Sequence, residues 1–252
     1  MTQHELNVEV GDDHVALVEF ARGENNFFDV ELIRGIADAY EDLDAQPRCR
    51  AILLCSAGRH FCAGADFSGD GGTGGLALYE EAVRLFAART PVVAAVQGAA
   101  VGGGLGVALS ADFRVASPES RFAANFSRLG IHHGFGLTVT LPAVVGPQRS
   151  LELLYTGRRV RGEEAHALGL CDRLVAPERL REEARALASE IAASAPLAVR
   201  SIRETMRGDL AERVRAATER EAAEQAELMA TEDFREGVSA TAGRREPDFQ
   251  GR

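Results

Sequence analysis

Leu6–Val10 and Val15–Phe20 alternate apolar and polar positions on either side of Gly11-Asp12-Asp13. That is the pattern of a β-hairpin. After Asp29, apolar residues fall at Leu32, Ile33, Ile36, Ala39, Tyr40 and Leu43. The helical period predicts a helix capped by Asp29 and running to about Leu43. Ala51–Cys55 is apolar without alternation, as a strand buried on both faces would be. Ser56–Asp66 reads as a loop, with Gly58 and Gly64. Phe67–Gly75 holds five glycines and reads either as a surface loop or as a lid over a substrate. Leu76–Arg89 is expected to be a helix that ends at Thr90-Pro91, because a residue before proline avoids the helical region.

From Thr90 to Ala111 there is no charged residue. Such a length would reach across a bilayer, but Gln97 and five glycines dilute it and no basic flank follows. Two buried pieces joined by a turn fit better. Val92–Val96 is a β-branched, apolar strand, and Gly103–Ser110 a buried helix. Gly98 and Gly102-Gly103-Gly104 between them let the backbone bend and let another molecule approach. A helix opening on glycine presents bare N–H groups, which suit an anionic or strongly polarised oxygen. Phe113–Ala116 is a further strand, so this part of the chain alternates strand and helix in an α/β pattern.

Beyond Gly146 helices dominate. Arg149–Tyr155 and Gly162–Leu168 are short ones, and Cys171–Val175 is a small strand. Pro177–Ser194 and Leu197–Met206 follow, split by Pro196, and then Asp209–Met229 and Glu232–Thr241. The expected division is a core over 1–195 and a helical oligomerisation region over 196–252. Arginine and glutamate alternate here as on solvated helix faces.

Composition narrows the function. Hydrophobic residues make up 46%, enough for a substantial core. The net charge is −10, which argues against nucleic acid as the main partner, since phosphate contacts need Lys and Arg. Arg200, Arg203 and Arg207, or Arg244-Arg245, could still form a local basic patch. Cys49, Cys55, Cys62 and Cys171 fit no metal spacing and are expected to be buried thiols. The first residues lack an apolar run, so a cytoplasmic protein is expected, with no membrane partner. The glycines after Val96 fail the G-x-G-x-x-G fingerprint, because Val107 stands where the third glycine belongs. G-x-S-x-G, a Walker A loop and HExxH are absent, so no metal and no separate cofactor are expected.

Two motifs resemble those of the enoyl-CoA hydratase/isomerase, or crotonase, superfamily. They are Arg59-His-Phe-Cys-Ala-Gly-Ala-Asp66 and Val96-Gln-Gly-Ala-Ala-Val-Gly-Gly-Gly104, each after a predicted strand. Ala111–Ala116, Arg128–Ile131, Thr156-Gly157, Ala165–Val175 and the stretch from Phe234 to Phe249 extend the likeness over nearly the whole chain. The resemblance implies an α/β fold, a spiral of strand–strand–helix units with a C-terminal helical region, assembled as homo-trimers or hexamers. It implies an acyl-CoA thioester as ligand. The thioester oxygen would be held by the backbone N–H groups of Ala65 and Gly103, which stabilise an enolate as it forms. Ala63, Ala65, Asp66 and Phe67 would lie along the pantetheine and adenine portions.

The same resemblance marks a departure. Where hydratases of the superfamily carry two glutamates, this chain has Gly106 and Phe126, and neither moves a proton. What is left is the polarising half of the site, which could serve decarboxylation, C–C bond cleavage or formation, thioester hydrolysis or isomerisation. Phe126 implies an apolar acyl pocket. His132 and His133 fall in the second active-site loop and are the candidate acid or base, unless they only hold a glycine-rich turn. His60, Asp66, Asp70, Tyr79 and Glu80 are lesser candidates. The competing expectation is a non-catalytic acyl-CoA-binding protein on the same scaffold.

Overall fold

The computed structural model describes residues 6–65 and 75–252. β1 (Leu6–Val10) and β2 (Val15–Phe20) form the expected antiparallel hairpin, with Leu6 opposite Phe20. α1 (Val30–Asp44) starts at Asp29, whose carboxylate accepts the Leu32 N–H at 2.9 Å. β3 (Ala51–Ser56), α2 (Gly75–Ala87), β4 (Val92–Val96), β5 (Ala99–Val101), α3 (Gly103–Ser110), β6 (Phe113–Ala116) and β7 (Arg121–Ala123) follow. A 3-10 helix, Asn125–Leu129, leads to α4 (Leu137–Val145), α5 (Pro147–Thr156), β8 (Arg159–Arg161), α6 (Gly162–Leu168) and β9 (Arg173–Leu174). The chain closes with α7 (Leu180–Ala192), α8 (Pro196–Arg207), α9 (Leu210–Leu228) and α10 (Glu232–Ala242).

Six strands form one sheet in the order β1-β2-β3-β4-β6-β9, parallel from β2 onward. A smaller sheet, β5-β7-β8, turns away from it at Gly98. This explains the uncharged stretch. β4 is paired on both edges, and its alternate residues enter two cores. Val92, Ala94 and Val96 face the main core, while Val93 and Ala95 meet Ala184 and Ala188 of α7. A strand covered on both faces has no polar side to alternate with. Every residue of α3 is buried as well. Among the described residues no helix is long and apolar enough to cross a membrane.

The three-residue strands β5, β7 and β8, and α4, go beyond the sequence expectations. Three residues are too few to display a period. α4 carries Val139, Val144, Val145 and an internal Pro142, a composition that hides a helix. The glycine-rich segment before α2 lies outside the described residues, except that Gly75 is the first residue of α2.

The expected basic patch on α8 is a correction. Arg203 and Arg207 turn inward onto Asp112, at 2.9 and 3.0 Å, and Asp112 also accepts the Val92 N–H at 2.8 Å. Arg200 donates to Thr90 Oγ1. Burial pulls the Arg207 guanidinium down to about 10. These arginines tie α8 to the sheet instead of offering charge to a partner. The four cysteines are free and buried. α9 and α10 fold back over the core, with α9 against α2 and α4, and α10 against the 3-10 helix.

Candidate active site

The segment after β3 is zipped onto β5. Cys62 N–H donates to Ala99 O at 2.9 Å and Val101 N–H to Cys62 O at 3.0 Å. Gly104 can sit against Cys62 because it has no Cβ; one there would overlap the Cys62 carbonyl. This close approach brings Ala65 and Gly103 to the same cavity. Gly102 makes the turn with a positive φ of 57°, which a side chain would oppose. Gly103 is the first residue of α3, so its N–H has no carbonyl one turn back. Ala65 is bridged to Phe28 in a register where Phe28 N–H donates to Gly64 O, which turns the Ala65 N–H away from the Phe28 segment. Among the described residues neither N–H meets a backbone acceptor, and both residues line one cavity.

That cavity holds about 280 Å³, and Ala63, Ala65, Gly103 and Phe126 all line it. Its walls are aromatic. Phe28 and Phe135 meet edge to face at 5.7 Å, and Tyr79 meets Phe135 at 6.5 Å. Phe135 adopts a positive φ of 63°, uncommon for a residue with a side chain. The ring packs where Gly106 has no side chain: a Cβ there would lie 2.5 Å from Phe135 Cδ1. The space beside Gly106 is thus filled by a phenyl ring from the second loop.

The histidines lie in that loop, but their rings are not part of the cavity lining. They stack at 4.1 Å. His132 Nδ1 is 2.7 Å from His133 O, and His133 Nε2 is 2.9 Å from Thr138 Oγ1. Thr138 Oγ1 donates to Glu221 Oε1 at 2.6 Å, so the His133 ring gives its own Nε2–H to Thr138. Glu221, buried on α9, also accepts the N–H groups of Gly136 and Thr138 at 2.8 and 3.0 Å. Burial raises the Glu221 carboxyl above its ordinary range despite these donors. Burial, and then the neighbouring His132, pulls His133 down to about 4. The Glu221 oxygen 3.9 Å from His133 would favour the imidazolium. Burial outweighs it, and the ring is neutral at pH 7.

One turn along α9, Gln225 lines the cavity. Tyr79 O–H donates to its Oε1 at 2.7 Å, and its Nε2 donates to His132 O at 2.9 Å. Of the lesser candidates among the described residues, Tyr79 alone lines the cavity. Glu80 is exposed on α2. His60 keeps a buried Nδ1 with no partner and packs against Gly98. Asp66, Phe67 and Asp70 lie outside the described residues. Sequence reasoning missed Phe28, Phe135, Glu221 and Gln225. The last two sit in an Ala/Glu/Arg-rich helix whose pattern gives no sign of a buried face. Among the described residues no group of His, Cys, Asp and Glu could hold a metal ion.

The family model of enoyl-CoA hydratase/isomerase matches residues 11–252. The chain belongs to the enoyl-CoA hydratase/isomerase family. Within it, a carnitinyl-CoA dehydratase of Proteus mirabilis is 34% identical over 253 residues, 92% of this chain and 93% of that protein. A crotonyl-CoA hydratase of Syntrophomonas wolfei is 32% identical over 232 residues, 89% of each chain. The crystal structure of an enoyl-CoA hydratase/isomerase from Pseudoalteromonas atlantica superimposes with a TM-score of 0.86 at 30% identity, covering 98% of this chain and all of that one. The crotonase-type spiral expected from the motifs is therefore the fold of this family member.

Proposed function

We propose that this family member is an acyl-CoA enzyme that generates a thioester enolate without a carboxylate base, by decarboxylation of a 2-carboxyacyl-CoA. The thioester oxygen rests on the N–H groups of Ala65 and Gly103. Two aimed donors in a water-poor cavity stabilise the charge that grows there. The observation that carries the choice of reaction is that Phe135 fills the space beside Gly106 and, with Phe126, lines the cavity. No carboxylate or imidazole lines the cavity among the described residues. A hydratase must hold and deprotonate a water, and an isomerase must lift a proton from carbon; both need a base. Loss of carbon dioxide needs none. The C–C bonding pair becomes the enolate, and the protein supplies only the oxyanion donors and a later proton.

A panel of enoyl-, 2-carboxyacyl-, β-keto- and saturated acyl-CoAs in heavy water, read by mass, tests this. Carbon dioxide release from malonyl-CoA or 2-methylmalonyl-CoA, with one deuterium at Cα, is the expected result. Gain of water by crotonyl-CoA would overturn it. Saturable binding without turnover of any thioester would leave an acyl-CoA-binding protein. Self-association as trimers or hexamers belongs to the same proposal. It is supported by α8, which leaves Leu197, Ile202 and Met206 more than half exposed.

A further inference from the structure

An enolate formed by decarboxylation has to be protonated at carbon, and most of the cavity lining is apolar. One side chain can supply the proton. Tyr79 carries the only ionisable proton among the described residues that line the cavity. It is almost fully buried, as is Gln225. Three features hold its hydroxyl in place. α2 carries it to the cavity wall. Gln225 Oε1 accepts its proton at 2.7 Å, and that amide cannot turn over freely because its Nε2 is committed to His132 O. Gly134 leaves the room the hydroxyl occupies: a Cβ at 134 would overlap the Tyr79 oxygen. Polar groups in an apolar wall are costly unless paired, and a phenylalanine would pack against Phe135 equally well.

We propose that Tyr79 is the catalytic acid of this site, delivering its phenolic proton to Cα of the thioester enolate, with Gln225 positioning the hydroxyl. The proposal rests on the decarboxylation reading. The bond between Cα and the carboxylate carbon breaks, and its electron pair becomes the enolate held by Ala65 and Gly103. As the thioester carbonyl re-forms, the phenolic O–H turns from Gln225 Oε1 to Cα, the hydrogen bond to the amide breaks, and Cα takes the proton. The phenolate regains a proton from water when the product leaves. Burial raises the phenol above its ordinary value, so it stays protonated and ready through neutral pH.

The test compares wild type, Tyr79→Phe and Gln225→Met with 2-methylmalonyl-CoA in heavy water, together with binding of propionyl-CoA. Wild type is expected to place deuterium in one configuration at Cα, because a fixed acid approaches one face. Tyr79→Phe is expected to lose roughly a hundredfold or more in kcat, with propionyl-CoA bound as in wild type and residual product deuterated on both faces. Gln225→Met, which keeps the phenol but frees it, is expected to lower kcat less and to blur the stereochemistry with KM held. Wild-type rate and a single configuration in Tyr79→Phe would overturn the assignment. So would loss of propionyl-CoA binding in that variant, which would make Tyr79 a ligand anchor. Absence of turnover in wild type is a different failure: it removes the decarboxylation reading itself.

Discussion

Two neighbouring regions share the segment from Ile131 to Gly136, and they divide polarity in opposite ways. On one side lies the cavity, lined by Ala65, Gly103, aromatic rings and Tyr79. On the other lies a cluster of His132, His133, Thr138 and Glu221, rich in titratable groups and closed on itself by hydrogen bonds. In the sequence the cluster looks like the chemistry and the cavity looks like glycine and alanine. In the structure the cluster fixes the loop, and the loop presents Phe135 and Gly134 to the cavity. Titratable residues near a site are not thereby in it. What matters is where each hydrogen bond is spent.

The largest effect that would break this comparison is on the cavity side. In Gly103→Ala the added Cβ meets the Phe28 ring and crowds the donor pair. Loss of one oxyanion donor costs about a hundredfold or more in rate. The expectation is turnover of 2-carboxyacyl-CoA reduced by at least that factor, measured as carbon dioxide release, with the fold kept in circular dichroism. Activity near wild type would mean the thioester oxygen sits elsewhere.

On the cluster side the effect belongs to stability. Glu221→Ala would strand three donors, the N–H groups of Gly136 and Thr138 and the Thr138 hydroxyl. Buried donors left unpaired cost about 1–3 kcal/mol each, and relaxation of the loop recovers part of that. A loss of roughly 3 kcal/mol in urea unfolding is expected. A change below about 0.5 kcal/mol, the size of an ordinary surface substitution, would show that Glu221 does not hold the loop.

The filled space beside Gly106 gives a sharper test, because it turns one residue's absence into another's presence. Gly106→Glu alone is expected to be poorly folded, since its first carbon would already lie 2.5 Å from Phe135 Cδ1 and 2.6 Å from its Cβ. Phe135→Ala alone would open a cavity and cost about 3 kcal/mol. Together the two changes should offset each other by about 1 kcal/mol or more in a double-mutant cycle of unfolding free energies. Simple additivity would deny that the ring and the missing side chain compete for one space.

These contrasts also show what could be read from the chain. The uncharged run from Thr90 to Ala111 announced a twice-covered strand and a buried helix, because burial on every side erases polar alternation. The asymmetry of Gly102–Gly104 announced a tight turn with bare donors. Asp29 announced its own helix. Phe135 gave no such signal, since its role depends on a left-handed backbone at 135 and on an empty Gly106 almost 30 positions earlier. Gln225 and Glu221 were equally silent. A buried polar residue on a helix of Arg, Glu and Ala looks like every exposed one, and only the tertiary fold decides which turn faces inward. His132 and His133 are conspicuous for the converse reason: an imidazole shows chemistry in sequence wherever it points, and here neither ring lines the cavity.

The smallest expected effect concerns that pair. With its ring spent on Thr138, His133→Gln should leave kcat within about twofold of wild type, since a rate change of that size is under about 0.5 kcal/mol. The variant should instead alter the pH profile of stability. The folded protein keeps His133 neutral down to about pH 4, whereas an unfolded histidine takes its proton near 6.5. Between those values the unfolded chain binds more protons, so this residue makes stability fall as pH drops from 6.5 toward 4. Above 6.5 it contributes nothing. Glu221 acts in the other direction: with its folded value raised, the folded state holds the proton more tightly, and stability falls as pH rises from about 4.5 through that value. The two slopes oppose each other in weakly acidic solution. Removing the imidazole should therefore flatten the acid limb of a melting-temperature profile and expose the Glu221 slope beneath it. An acid limb unchanged in His133→Gln would mean that the folded ring takes up its proton at the ordinary histidine value, and turnover would then be the next place to look for it.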